Sequence, residues 1–321
     1  MNRTLQLLIK SNFNLRRMWR GNIWLKLNYD INRKSRKKMK KIFITLLTIT
    51  LLLLSTGCNK KQQITIAIPN DTTNEARALL LLQDLGLITL KEGATILATI
   101  EDIANNPYDI KFNEVEAAQL PNILQDVDYA VINSNYAISA GINPVKDSLG
   151  IEGGSSFYAN ILAVKEGNEN LPEIKALIAA LQSQEVVDFI LAQYGGSVVS
   201  AVENPGNGYD STIDYTALEG ATISVACSPT PHAEILEIVK EILKQVGIQL
   251  DIQEYTDYVV PNNVVEDGTV LANYFQHLPY LDDFNEQNGT HIVSVAAIHV
   301  EPLGIYGGKQ TSLDAIYDSN K

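Results

Sequence analysis

The residue best suited to do chemistry in this chain is Arg77, at the end of "IPNDTTNEAR" (68–77). An apolar run stops there and a helix starts. A helix N-terminus presents unpaired N–H groups and a partial positive charge, and so attracts anions. An arginine one turn in can add a planar, two-pronged donor edge suited to a carboxylate. Asn70, at the strand end, can both donate and accept. The alternative is that Arg77 is an ordinary solvated helix residue, and the residue types alone do not choose between the two. A second cluster, "ANYFQHLPYL" (272–281), puts Tyr274, Phe275, His277 and Tyr280 within seven residues, and "YTDYVVPN" (255–262) precedes it with Tyr258. Aromatics at that density build cores. Interleaved Asn, Gln, His and Pro suit equally a polar-edged pocket for a mostly apolar ligand, and thioethers pack well on such rings.

Catalytic patterns are missing from the sequence. The histidines, at 232, 277, 291 and 299, include no H-x-x-x-H pair, so no metal is expected. Neither a phosphate-binding G-x-x-x-x-G-K-[ST] nor a G-x-S-x-G nucleophile turn occurs, and no cofactor is expected. The acids are scattered. Cys227 closes an apolar strand, "TISVAC", and reads as a small buried hydrophobe rather than a nucleophile. The balance favours binding over catalysis.

These residues need elements to hold them. "ITIAI" (64–68) and "VDYAVIN" (127–133) are buried-strand runs, and "FYANILAVKEG" (157–167) and "ATISVA" (221–226) are further strands. Thr72 and Glu75 have capping-box spacing ahead of a helix through Leu85. "PHAEILEIVKEILKQVG" is an amphipathic helix closed by Gly247, and "HIVSVAAIHVEPLGIYG" (291–307) one long extended segment. Residues 200–219 are rich in Gly, Pro, Asn and Asp and read as a linker. The alternation of strands and helices argues an α/β fold with largely parallel sheets, divided into two lobes with a ligand cleft between them.

The net charge of −12 averages two unlike parts. Residues 1–41 carry 13 of the 25 Lys and Arg and one acid, whereas the chain from Cys58 onward carries 12 against 36 acids, or −24. So acidic a body excludes nucleic acid as a partner. Across the boundary run Lys40-Lys41, a 13-residue apolar run and "STGC", the order of parts in an export signal. A signal peptide is therefore expected over 39–57. Residues 1–38 are a basic extension; translation from Met39 would leave them out.

The body of the chain resembles the methionine-binding lipoproteins of ABC importers, the NlpA-type solute-binding family. The resemblance is carried by "ITIAIPNDTTNEARALLLLQDLGLITLKEGA", "VEAAQLPNILQDVDYAVINSNYA", "SSFYANILAVKEGNEN", "PHAEILEIVK", "ANYFQHLPYLDDFN" and "VSVAAIHVEPLGIYG". "LSTGC" resembles a lipobox, with its leucine one place further from the cysteine than usual, and implies lipidation of Cys58. The order is rotated, since in that family the "PHAEI" part comes first. The sequence resembles a circular permutation, or the remnant of two fused gene copies. Residues 200–219 would join the usual ends, and a flexible linker of that length spans roughly 25 Å.

The resemblance implies a two-lobed, type II periplasmic-binding-protein-like fold. It places a tether at 58–61, one lobe at 62–150, the other at 155–199 and 220–300, and a hinge crossing with a C-terminal tail at 301–321. It implies a ligand site in which Arg77 pairs with the ligand carboxylate and Asn70 and Asn133 hold the amino-acid head group. Tyr258, Phe275, His277 and Tyr280 would wall the side-chain pocket. The implied partners are methionine or a related amino acid, an importer permease with its ATPase, and the membrane through the N-terminal lipid, on its extracytoplasmic face. Another apolar amino acid, a methionyl dipeptide or a non-transport surface role are the competing readings.

Overall fold

A computed structural model of the chain describes residues 63–153 and 158–320, together with positions 33 and 38–40. It divides into two compact units, Met1–Gln62 and Gln63–Lys321. In the first unit, positions 33 and 38–40 are helical and exposed. The rest of the expected signal, the tether and the lipid site Cys58 lie outside the described residues. All that follows concerns the second unit.

Strand β1 (Thr65–Pro69) is apolar because it is central. It runs parallel to β2 (Lys111–Val115) on one side and to β3 (Tyr129–Ile132) on the other, and Ile66, Ala67 and Ile68 have no exposed surface. The strand runs into helix α1 (Thr72–Asp84). The cap is Asp71 rather than Thr72: its carboxylate accepts the Asn74 N–H at 3.1 Å. Glu75, expected to close a capping box, instead accepts the Ile100 N–H at 2.8 Å. With Asp71 as cap, Glu75 falls one position too far along to reach back. Helix α2 (Ser134–Ser139) follows β3, and β4 (Ser148–Ile151) forms the sheet edge.

The second lobe opens with β5 (Ala159–Lys165), and helices α3 (Pro172–Leu181) and α4 (Gln184–Tyr194) follow. Then come β6 (Val199–Ser200), β7 (Thr222–Cys227), helix α5 (Glu234–Lys244) and β8 (Gln249–Glu254). Helix α6 (Val260–Glu266), β9 (Ala272–His277), α7 (Leu278–Asn288) and β10 (Ile292–Val300) complete the lobe. The chain then returns to the first lobe as β11 (Gly304–Gly307) and helix α8 (Asp314–Tyr317). The strand orders are β2-β1-β3-β11-β4 and β8-β7-β9-β5-β10-β6.

The sheets are mixed rather than largely parallel. β5 is antiparallel to both β9 and β10, and β11 is antiparallel to both β3 and β4. The antiparallel strands flank the two places where the chain passes between lobes. One passage is Glu301–Leu303, which splits the single extended segment expected over 291–307. The other follows β4, and its residues 154–157 lie outside the described residues.

Each lobe has its own core. Leu162, Leu177, Ile223, Val225, Ile235 and Val239 pack between sheet and helices in the second. In the first, Ile66, Ile68, Leu79, Leu82 and Ile305 do the same. Ile64, before β1, and Ile316, near the chain's end, are buried in that one cluster. Residues 200–219, expected as free linker, pack on the second core instead. Leu218 is buried there and Tyr209, Ile213 and Tyr215 lie against it, while Gly206 donates to the Gln182 carbonyl at 2.9 Å and accepts from the Gln184 N–H at 2.8 Å.

Candidate functional site

One pocket collects residues from both lobes. Arg77 and Asn74 come from α1, Asn133, Ser134 and Asn135 from the end of β3 and the start of α2, and Asn160 from β5. Phe275, Gln276 and His277 come from β9, Tyr280 from α7, Tyr258 from the loop before α6, and Glu301 from the passage between lobes. Six of the seven ligand residues expected from the sequence thus line a single cavity.

Asn70 does not. It is exposed, its N–H donates to the Val115 carbonyl at 3.0 Å, and it borders a separate depression with Asp71 and Asp283. The strand ends at Pro69 and the chain turns at the Asp71 cap, so the pocket-facing position of this segment falls one helical turn later, on Asn74. Asn74 could have been found, because it lies three residues before Arg77 on the same helix face.

Arg77 is 4 % exposed. Its Nε donates to both Glu152 carboxylate oxygens at 2.9 Å, and Nη2 donates to Glu152 at 2.5 Å and to the Glu301 carbonyl at 2.7 Å. The Tyr158 ring lies 4.5 Å from the guanidinium carbon. The two-pronged edge expected to face a ligand is therefore occupied by Glu152. The guanidinium donors that no described residue accepts are the two on Nη1.

The pocket amides are oriented by a chain that begins at a carboxylate. Asp71 accepts from Asn74 Nδ2 at 2.8 Å, so Asn74 Oδ1 must be an acceptor. It accepts from Asn133 Nδ2 at 2.8 Å and lies 3.4 Å from His277 Nε2. His277 Nδ1 accepts the Tyr280 N–H at 3.2 Å, which fixes the proton of the neutral ring on Nε2. Burial and the nearby Arg77 charge pull the His277 pKa down to about 3. The chain ends at Asn133 Oδ1, a buried acceptor with no partner among the described residues. Such an atom costs free energy unless a ligand or water satisfies it.

Behind the pocket lies a second buried network. Asn160 Oδ1 is 2.9 Å from His232 Nε2, Glu301 is 2.8 Å from His299 Nε2, and Tyr274 bonds the other ring nitrogen of His299. Burial pulls His232 and His299 down to about 3 and pushes Glu301 up. The ligand-type atoms of His232, His299 and Glu301 lie within 4.8 Å of one another, a metal-capable grouping assembled from segments too distant for sequence spacing to show. Hydrogen bonds among these groups and Asn160 account for their approach.

The opposite wall is aromatic. Tyr258, Phe275 and Tyr280 meet with ring centroids 5.8–6.2 Å apart. Tyr258 also donates to Asn135 Oδ1 at 2.7 Å, and Tyr136 to the Thr256 carbonyl at 3.1 Å, tying the lobes across the cleft. Cys227 is fully buried away from the pocket lining, and its thiol is pushed up to about 12 by burial. Ser134 Oγ is committed to the Pro302 carbonyl. The pocket therefore offers a cation, amide donors and acceptors, and a ring-lined end. That set can hold a small molecule with a charged head and an apolar tail.

The sequence profile of the NlpA lipoprotein family matches residues 59–202 and 223–321. The membrane lipoprotein TpN32 of Treponema pallidum is 45% identical over 138 residues, which cover 43% of this chain and 52% of that one. The D-methionine-binding lipoprotein MetQ of Escherichia coli strain K12 is 41% identical over 136 residues, covering 42% and 50%. A nutrient binding protein from Burkholderia cenocepacia, solved bound to methionine, is 49% identical over 44% of this chain and 59% of its own, with a TM-score of 0.43. The chain spans about half the length of the curated relatives it matches. With two profile matches that together take in most of its residues, the chain belongs to the NlpA lipoprotein family.

Proposed function

We propose that this protein captures methionine outside the membrane and hands it to an ABC importer, without catalysing a reaction. The observation that carries the proposal is the unpartnered Asn133 Oδ1 in a pocket that also holds Arg77 and a three-ring wall. A free amino acid supplies what each part lacks: its ammonium donates to Asn133 Oδ1, its carboxylate accepts from Arg77 Nη1, and its thioether packs on Tyr258, Phe275 and Tyr280. His277 closes the wall as a neutral ring. The name of the MetQ relative, a D-methionine-binding lipoprotein, supports the ligand class and leaves both stereoisomers in play.

On this reading Cys58 carries the lipid that anchors the protein to the extracytoplasmic face of the cell membrane, and the closed lobes present the docking surface for the permease and its ATPase. The lobes divide as 62–150 with the returning β11 and α8 against 155–300, with residues 200–219 packed on the second. Residues 200–219 join what are the termini in other members of the family.

The test is calorimetric titration of the detergent-purified full chain with a panel of amino acids and methionyl dipeptides. Methionine is expected to bind tightest. Arg77→Ala is expected to weaken it about a hundredfold or more, because a buried carboxylate loses its partner. Equally tight binding by a folded Arg77→Ala variant would show that the site is wrong. Tighter binding of a dipeptide or of leucine would transfer the role to that ligand.

A further inference from the structure

Arg77 is paired within the protein itself. Glu152 takes Nε and one Nη2 hydrogen, and the Glu301 carbonyl takes the other. Glu152 is itself fixed, since its N–H donates to the Leu303 carbonyl at 2.8 Å and the Leu303 N–H donates to its carboxylate at 3.2 Å. Glu152 directly follows β4, and Glu301 and Leu303 lie in the passage between β10 and β11, so Arg77 of α1 is held where the two lobes join.

The consequence is a charge balance. The buried guanidinium and the Glu152 carboxylate cancel, the pocket histidine His277 is neutral, and burial raises both Glu301 in the lining and Asp71 behind Asn74, which favours their uncharged forms. A ligand bearing only a carboxylate would place a second anion on the same guanidinium, opposite Glu152, with no cation left to offset it. A zwitterion brings its own.

We infer that Glu152 is a specificity-determining residue that makes this pocket select net-neutral amino acids and reject net-charged analogues of the same shape. This rests on the reading of the pocket as a methionine site. Glu152 touches Arg77 rather than the ligand, so it acts through position and charge.

The experiment titrates the full chain in detergent with three molecules that share the methionine side chain. These are methionine, with net charge zero, 4-(methylthio)butanoate, an anion without the ammonium, and methionine methyl ester, a cation. The unmodified protein is expected to bind methionine at least tenfold tighter than either. In Glu152→Gln the same shape leaves Arg77 unneutralised, so the ratio of methionine to butanoate affinity is expected to fall at least tenfold. A purely structural role would weaken both ligands by one factor and leave that ratio alone. Glu152→Asp, which keeps the charge, is expected to restore the order of preference even if all three bind more weakly.

An unchanged ratio in Glu152→Gln, with methionine still bound by the unmodified protein, overturns the role of Glu152 alone. If that variant fails to fold, the unmodified protein still decides: butanoate binding within threefold of methionine overturns the inference. Binding of none of the three overturns the methionine reading and takes this inference with it.

Discussion

At the scale of single residues, the site is built from buried polar groups whose protonation is set by their surroundings. His232, His277 and His299 are buried, and desolvation lowers each to about 3 from the ordinary 6.5. A lowered folded-state value means that protons bind the unfolded chain first. The stability these rings contribute is fully present above pH 6.5 and is lost as pH falls toward 3. At pH 5 each is worth up to ~2 kcal/mol less than at neutrality. Glu301, Asp71 and Glu75 run the other way, since burial raises each of them, and they offset part of the histidine effect. The melting temperature is therefore expected to fall steadily from pH 7 to pH 5 in differential scanning calorimetry. A flat or rising profile would mean that these rings are not buried neutral. The sequence made Arg77 and the aromatics legible because a charge at a helix start and a dense aromatic run are local features. Glu152, Asn160 and Glu301 carried no comparable signal. Each is a single polar residue beside an apolar strand, and its meaning depends on a partner 72 to 224 residues away.

Elements position these groups with little slack. Asp71 caps α1 and also anchors Asn74, and through it Asn133. Asp71→Ala is expected to cost about 1 kcal/mol of stability from the lost cap. It also frees the Asn74 amide to invert, so methionine affinity is expected to drop well beyond what that stability loss explains. Chemical denaturation and calorimetry on the same preparation separate the two effects, and a variant with the expected loss of stability but unchanged affinity would break the proposed amide chain. The β1–α1 unit could be read from the sequence almost residue for residue. Its cap was displaced by one, because Thr72 and Asp71 are both good caps and only the fold sends Glu75 to Ile100. Strand direction in the second sheet was not legible. β5 and β10 are separated by about 130 residues, and nothing local in either says that they pair antiparallel. The segment 200–219 misled for a similar reason, since its turn-forming composition hides Tyr209, Ile213, Tyr215 and Leu218, which have a core to cover.

At the scale of the whole molecule, the order of the chain is expected to be separable from the fold. Ile64 and Ile316 are buried in one core, and Tyr317 donates to the Leu85 carbonyl at 3.0 Å, so the two ends of the second unit meet on the first lobe. A chain rearranged to run 201–321 and then 63–200, with a short joint between positions 321 and 63, keeps the packed segment 201–219 and is expected to fold and to bind methionine within about threefold of the original, since no pocket residue lies at either junction. Failure to fold would show that the present order is needed to assemble the lobes. The central claim concerns what fills the pocket between those lobes, and a crystal structure of the full chain grown with methionine tests it most directly. The expected result is one methionine between the sheets, its carboxylate on Arg77 Nη1, its ammonium on Asn133 Oδ1 and its sulfur against Tyr258, Phe275 and Tyr280, with Glu152 still on the far edge of Arg77. Methionine bound elsewhere, or a pocket in which Asn133 Oδ1 remains without a partner, would contradict the account.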